Sequence, residues 1–149
     1  MKMTEKQQIG ETTFIMIDDN PVDLKFNRIR MRMAGVINKV FTESNPENII
    51  GMLDHLVEMG LNKDTFLILL DLHMPRVNGL EALESIRNHP KYKNTPVLMF
   101  SSSTDADDII RAFDAGSDGY LEKPFSGEEF FSAIGNISKF KKLLLQELN

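Results

Sequence analysis

The chain has 149 residues, with 17 Lys plus Arg against 22 Asp plus Glu and a net charge of −5 at pH 7. That length suits one domain and leaves no room for a second core, and the mild acidity opposes nucleic acid as a main partner, because phosphate binding needs concentrated basic surface. The absence of cysteine excludes disulfides, cysteine–zinc sites and thiol nucleophiles, and suits a reducing, cytoplasmic setting.

Residues 1–12 are polar and aperiodic and read as a flexible tail. Thr13–Ile17 is a candidate strand closed by Asp18-Asp19-Asn20-Pro21, where Asn20 can cap a helix that Pro21 opens. Val22, Phe26, Ile29 and Met33 recur at i, i+4, i+7 and i+11 and predict the inward face of that helix, which Gly35 ends. A second strand is expected over 38–42, then a helix opened by Ser44-Asn45-Pro46-Glu47, with Ile49, Ile50, Leu53 and Leu56–Val57 inward, stopping near Gly60. Phe66–Leu70 is apolar throughout, as in a strand covered on both faces. Leu80, Leu83 and Ile86 mark a third helix, and 88–96 is a polar connection. Val97–Phe100 is another apolar strand, 105–114 a helix with Ile109, Ile110 and Phe113 inward, and 119–122 a short fifth strand. The last helix starts near Ser126, carries Phe130, Ala133, Ile134, Ile137 and Phe140 in register, and can run on toward Leu148. No apolar run approaches the ~18 residues that span a bilayer, and the start of the chain lacks a signal-peptide apolar region.

Five strand–helix alternations predict an α/β, doubly wound, five-stranded parallel sheet with helices on both faces. The expected order is 2-1-3-4-5, which puts ligands beyond the carboxyl ends of the strands, at the switch between strands 1 and 3. Asp18 and Asp19 follow the first strand, Asp71, His73, Met74 and Pro75 the third, Ser101–Ser103 the fourth, and Lys123-Pro124 the fifth. Three carboxylates brought together cannot all stay ionised unaided. A hard divalent ion resolves the conflict, and Mg²⁺ leaves coordination sites for phosphate oxygens. His55, His73 and His89 lack helical ligand spacing, which opposes a histidine metal site. No glycine-rich loop follows the first strand, so a nucleotide phosphate would meet carboxylates rather than backbone donors. Such a rim suits receipt of a phosphoryl group, with an Asp as nucleophile and the metal and Lys123 neutralising charge. Singly, each residue has an ordinary reading. The Asp pair can favour a helix N-terminus, Asp71 can cap a turn, Lys123 can be a solvated lysine, and His73 a loop residue.

The acidic pair Asp18-Asp19, the stretch Asp71-Leu72-His73-Met74-Pro75-Arg76-Val77-Asn78-Gly79, Ser101 after Pro96–Phe100, and Gly119–Phe125 together resemble the receiver domain of two-component response regulators. The resemblance covers 13–137 and implies the flavodoxin-like receiver fold, with 138–149 as a C-terminal helical extension. It implies that Asp71 accepts a phosphoryl group from a phosphohistidine on a sensor histidine kinase. It further implies that Asp18, Asp19, Asp71 and the His73 backbone carbonyl hold Mg²⁺. Lys123 is implied to pair with the acceptor and then with phosphoryl oxygens, Ser101 to be the switch hydroxyl, and Tyr120 the aromatic that swings inward; Tyr120 also reads as an ordinary half-buried strand aromatic. The resemblance also implies that His73 and Ser103 hold the positions that tune dephosphorylation in such domains. Asp18–Asp23 and the long 88–96 connection resemble the stand-alone receivers partnered with bacterial phytochromes.

Phosphorylation adds about −1.5 to −2 charges and three acceptor oxygens, so a two-state domain is expected to remodel its fourth helix, fifth strand and fifth helix. About 12 residues after the receiver cannot form a DNA-binding domain, so output is expected through an unknown downstream protein, without nucleic acid or membrane. A homodimer through strand 5, helices 4 and 5 and the extension is a further option, the apolar residues of 138–149 offering a stripe. The expectation is a signalling domain with slow self-dephosphorylation rather than an enzyme. The alternatives are a relay intermediate or a Mg²⁺-dependent aspartyl-phosphate phosphatase, which would want a second acid where His73 stands.

Overall fold

The computed structural model describes residues 9–74 and 78–137. Five strands alternate with five α-helices: β1 Thr13–Ile17, α1 Pro21–Met33, β2 Val40–Glu43, α2 Ile49–Glu58, β3 Phe66–Asp71, α3 Gly79–Arg87, β4 Val97–Ser101, α4 Ala106–Asp114, β5 Gly119–Glu122 and α5 Gly127–Gly135. All strand pairs are parallel and the order is β2-β1-β3-β4-β5, the expected doubly wound sheet. Four of the five helices start where a side chain takes orphan backbone donors: Asn20, Asn78, Asp105 and Ser126 cap α1, α3, α4 and α5.

β1, β3 and β4 are buried along their whole length because helices cover both faces. Alternation at period 2 sorts their side chains into two cores. Phe14, Met16, Leu67, Leu69, Leu98 and Phe100 pack with Leu24, Met31, Phe130 and Ile134 of α1 and α5. Ile15, Ile17, Ile68, Leu70, Val97 and Met99 pack on the other side, with residues of α2, α3 and α4.

The structure corrects several expectations. On α1, Val22, Phe26, Ile29 and Met33 are all exposed, and the buried residues are Leu24, Asn27 and Met31. Both sets have helical spacing. Leu24 and Met31 pack into the core with residues of β1, β3 and α5, which leaves the more apolar stripe outward. On α4 only Ala112 is buried, while Ile110 and Phe113 are exposed; the small residues Ala112 and, just past the helix end, Ala115 meet the core. The tail expected over 1–12 is anchored from Ile9, which is 1% exposed. Asn38 accepts the Ile9 amide at 2.9 Å and donates to the carbonyls of Ile9 and Thr12 at 3.1 and 2.8 Å. Asn38 is thus a bracket ahead of β2 rather than part of it. The polar 88–96 connection carries a fully buried Tyr92, whose hydroxyl donates to Asp54 of α2. Residues 1–8, Pro75–Val77 and 138–149, with Phe140 and the extension, lie outside the described residues. Among the described residues no helix is long and apolar enough to cross a membrane.

Candidate functional site

Strand register assembles the site. Ile17 pairs with Leu70, so the next residues, Asp18 and Asp71, stand side by side at the carboxyl edge. Asp71 pairs with Phe100, and Phe100 with Leu121, which brings Lys123 to the same edge two residues on. Alternation puts Asp18, Asp71, Phe100 and Lys123 on the α1/α5 side of the sheet. Accordingly the Lys123 ammonium donates to Asp18 at 2.8 Å, lies 3.4 Å from Asp71 and 3.6 Å from Asp23, and sits 4.5 Å above the Phe100 ring. Asp18 is fully buried and Asp71 is 5% exposed.

One ammonium faces more carboxylate than it can neutralise. Burial pushes the Asp71 carboxyl up to about 7, with Asp18 adding to the rise and Lys123 opposing it. Asp19 is also raised, by burial and by the neighbouring Asp18 charge. Burial lowers the Lys123 ammonium, but its bond to Asp18 and the charges of Asp71, Asp18 and Asp23 outweigh this and leave it raised. Oxygen atoms of Asp18, Asp19 and Asp71 lie within 4.8 Å of one another. An all-carboxylate donor set with excess negative charge fits a hard divalent cation such as Mg²⁺. The cluster opens into a cavity of about 630 Å³.

Gly79 explains how the start of α3 comes close to the site. A Cβ there would overlap the Asp71 carbonyl and lie 2.6 Å from the Leu72 Cα. The Gly79 amide donates to the Leu72 carbonyl at 2.8 Å, so only a residue without a side chain lets α3 begin this close to Asp71.

Ser101, Tyr120 and His73 stand differently from the carboxylates. Ser101 is buried on the opposite pleat, and its hydroxyl accepts the Ser103 amide at 3.0 Å; Ser102, not Ser101, lines the cavity. The Tyr120 hydroxyl donates to the Ser103 carbonyl at 2.9 Å. Ser103 is therefore held through its N–H by one residue and through its C=O by the other. Its own hydroxyl donates to Asp108 in the first turn of α4 at 2.7 Å, and the His73 imidazole reaches the same Asp108 oxygen at 3.4 Å. The His73 amide points to Asp71 at 3.3 Å.

Four residues to which the sequence reading gave no role in the site join it. Asp23, Asn27 and Arg30 line the cavity from α1, and Asp108 ties the loops after β3 and β4. Asp23 lies one helical turn beyond Asp19 and was legible on that ground. Asn27 and Arg30 were not, because the apolar stripe pointed to the other face of α1.

Similarity to characterised proteins agrees with this geometry. The model of the response regulator receiver domain family matches residues 14–135. Protein PilG of Pseudomonas aeruginosa is 43% identical over 131 residues, covering 87% of this chain and 89% of PilG. The nitrate/nitrite response regulator NarL of Escherichia coli is 33% identical over 136 residues, 91% of this chain but 59% of NarL. The chain thus spans little more than half of NarL and about half, 46% and 49%, of the regulators RpaA and KdpE. The solved structure of the bacteriophytochrome response regulator AtBRR superposes with a TM-score of 0.73 at 26% identity, covering 85% of this chain and 91% of that one. The buried acidic cluster, the lysine over it and the sheet that brings them together are thus those of a signalling module, and the chain belongs to the response regulator receiver domain family.

Proposed function

We propose that this domain accepts a phosphoryl group on Asp71 from the phosphohistidine of a sensor kinase and signals through protein contacts. The observation that carries the reading is the Asp71 carboxylate, 5% exposed, within 3.4 Å of Lys123 and within reach of both Asp18 and Asp19. An Asp71 oxygen attacks phosphorus and forms an acyl phosphate while the bond to the donor nitrogen breaks. Lys123 follows the charge from the carboxylate to the phosphoryl oxygens. Mg²⁺ bound by Asp18, Asp19, Asp71 and the His73 carbonyl would neutralise the remaining equatorial charge.

In this reading Ser101 is the switch hydroxyl. Drawn toward the phosphoryl group, it releases the Ser103 amide, and the Tyr120 hydroxyl follows the Ser103 carbonyl. The Ser103–Asp108 bond carries the shift to α4, whose exposed Ile110 and Phe113 offer an apolar output surface with β5 and α5 for a downstream protein or a second copy. Likeness to bacteriophytochrome response regulators supports a phytochrome-type kinase as donor. A cytoplasmic location, 13–137 as the receiver unit and 138–149 as a helical extension complete the proposal. With His73 where an aspartyl phosphatase wants a second acid, self-dephosphorylation is slow.

The test is radiolabelling by a phosphorylated sensor kinase with Mg²⁺. One acid-stable, base-labile equivalent is expected on the parent chain and none on Asp71→Asn. Equal labelling of the two removes the assignment.

A further inference from the structure

We propose that Asn27 and Arg30 on α1 form a leaving-group arm of the acceptor cavity that binds the carboxylate released from a small acyl-phosphate donor. The proposal rests on Asp71 being the acceptor.

Asn27 stands on the inward face of α1, one turn from Leu24 and one turn from Met31, both packed in the apolar core. It is 5% exposed, and its side-chain amide nitrogen finds no acceptor among the described residues, where it is the single buried side-chain polar atom left so. A buried donor without an acceptor loses its hydration for nothing, so a leucine would serve packing better. The residue lines the cavity that holds Asp18, Asp19 and Asp71, and its amide nitrogen is closed to solvent in this conformation, so a turn of the side chain toward the cavity would let an incoming ligand supply the missing acceptor.

Arg30 is three residues on, on the same side of the helix, and lines the same cavity. Lys123 is committed to Asp18, Asp71 and Asp23. Arg30 makes no ion pair with any described residue, which leaves it free to meet an anion. An anionic leaving group needs such a cation here, because four aspartates line the cavity. Arg30 also suits the carbonyl end of α1 electrostatically, but that role has no bearing on which donor the domain prefers.

Displacement at phosphorus is in line, so the leaving group departs on the side away from Asp71. With an acyl phosphate, the Asp71 oxygen–phosphorus bond forms and the acyl oxygen–phosphorus bond breaks. The electron pair stays on the acyl oxygen, which leaves as carboxylate and needs no proton. Asn27 donates to that oxygen and Arg30 pairs with its charge. Phosphoramidate is the useful contrast, since its nitrogen leaves as ammonia and presents no carboxylate.

The experiment measures Asp71 labelling rates of the full chain with Mg²⁺, using acetyl phosphate and phosphoramidate separately. The ratio of the two rates is compared among the parent, Asn27→Leu and the exposed substitution Arg30→Gln. Each variant is expected to lower the acetyl phosphate to phosphoramidate ratio about fivefold or more, the size of one ordinary hydrogen bond, and the Arg30→Gln effect should shrink with added salt. A ratio within about twofold of the parent for both variants overturns the arm and leaves the acceptor assignment standing. A parent chain labelled at Asp71 by neither donor overturns both.

Discussion

Asp71 makes the folded state sensitive to pH in a direction opposite to that of most carboxylates. Its carboxyl is held at about 7 in the fold, against about 3.9 in an unfolded chain. Between those values the folded state binds the extra proton, so stability falls as pH rises through the window and is greatest below it. Three units at about 1.4 kcal/mol each set a ceiling near 4 kcal/mol. Solvent at the cavity mouth and coupling to Lys123 reduce this to about 2 kcal/mol. Urea unfolding in EDTA should therefore show the parent losing about 1.3 kcal/mol between pH 5 and pH 8 relative to Asp71→Asn, since about two thirds of the window lies above pH 5. The variant should be the more stable protein at pH 8, and adding Mg²⁺ should narrow the gap by stabilising the parent alone. Parallel pH profiles for the two proteins would refute the reasoning, because they would mean that the carboxylate cluster carries no excess charge.

Three further outcomes follow from the packing. Lys123→Met leaves Asp18 and Asp71 buried without their cation and should cost about 3 kcal/mol at pH 8 by urea denaturation, most of it recovered when Asp18→Asn is added. Gly79→Ala drives a methyl into the Asp71 carbonyl and the Leu72 Cα; about 2–3 kcal/mol of destabilisation is expected, together with slower Asp71 labelling, whereas full stability would show that the start of α3 is not held against Asp71 and Leu72. Leu24→Ala should lose about 2–3 kcal/mol, while Phe26→Ser should stay within about 0.5 kcal/mol of the parent. The reverse order would restore the face of α1 that periodicity predicts.

Those paired α1 substitutions mark where the sequence is a poor guide. Val22, Phe26, Ile29 and Met33 outscore Leu24, Asn27 and Met31 as an apolar stripe, and periodicity reports the stripe without knowing which side meets the sheet. On α4 the same happened with Ile110 and Phe113 against Ala112. Surfaces that meet partners carry the same apolar residues as cores, so composition cannot separate them. By contrast the strands were legible, since continuous apolar runs such as Phe66–Leu70 tolerate only double-sided burial. The acidic pair, Asp71 and Lys123 were legible too, because a strand that ends in a charged residue delivers it to one edge of a parallel sheet.

The residue order alone therefore determined the strand–helix alternation, the sheet it must form, and the gathering of Asp18, Asp19, Asp71 and Lys123 at one edge, because each of these depends on local apolar runs and the handedness of crossovers. Only the tertiary structure decided which face of α1 turns inward, that Ser103 is gripped by both Ser101 and Tyr120, and that Asn27 is buried without an acceptor among the described residues. Those features depend on the rotation and approach of packed elements, which are set by three-dimensional contact and leave no period in the chain.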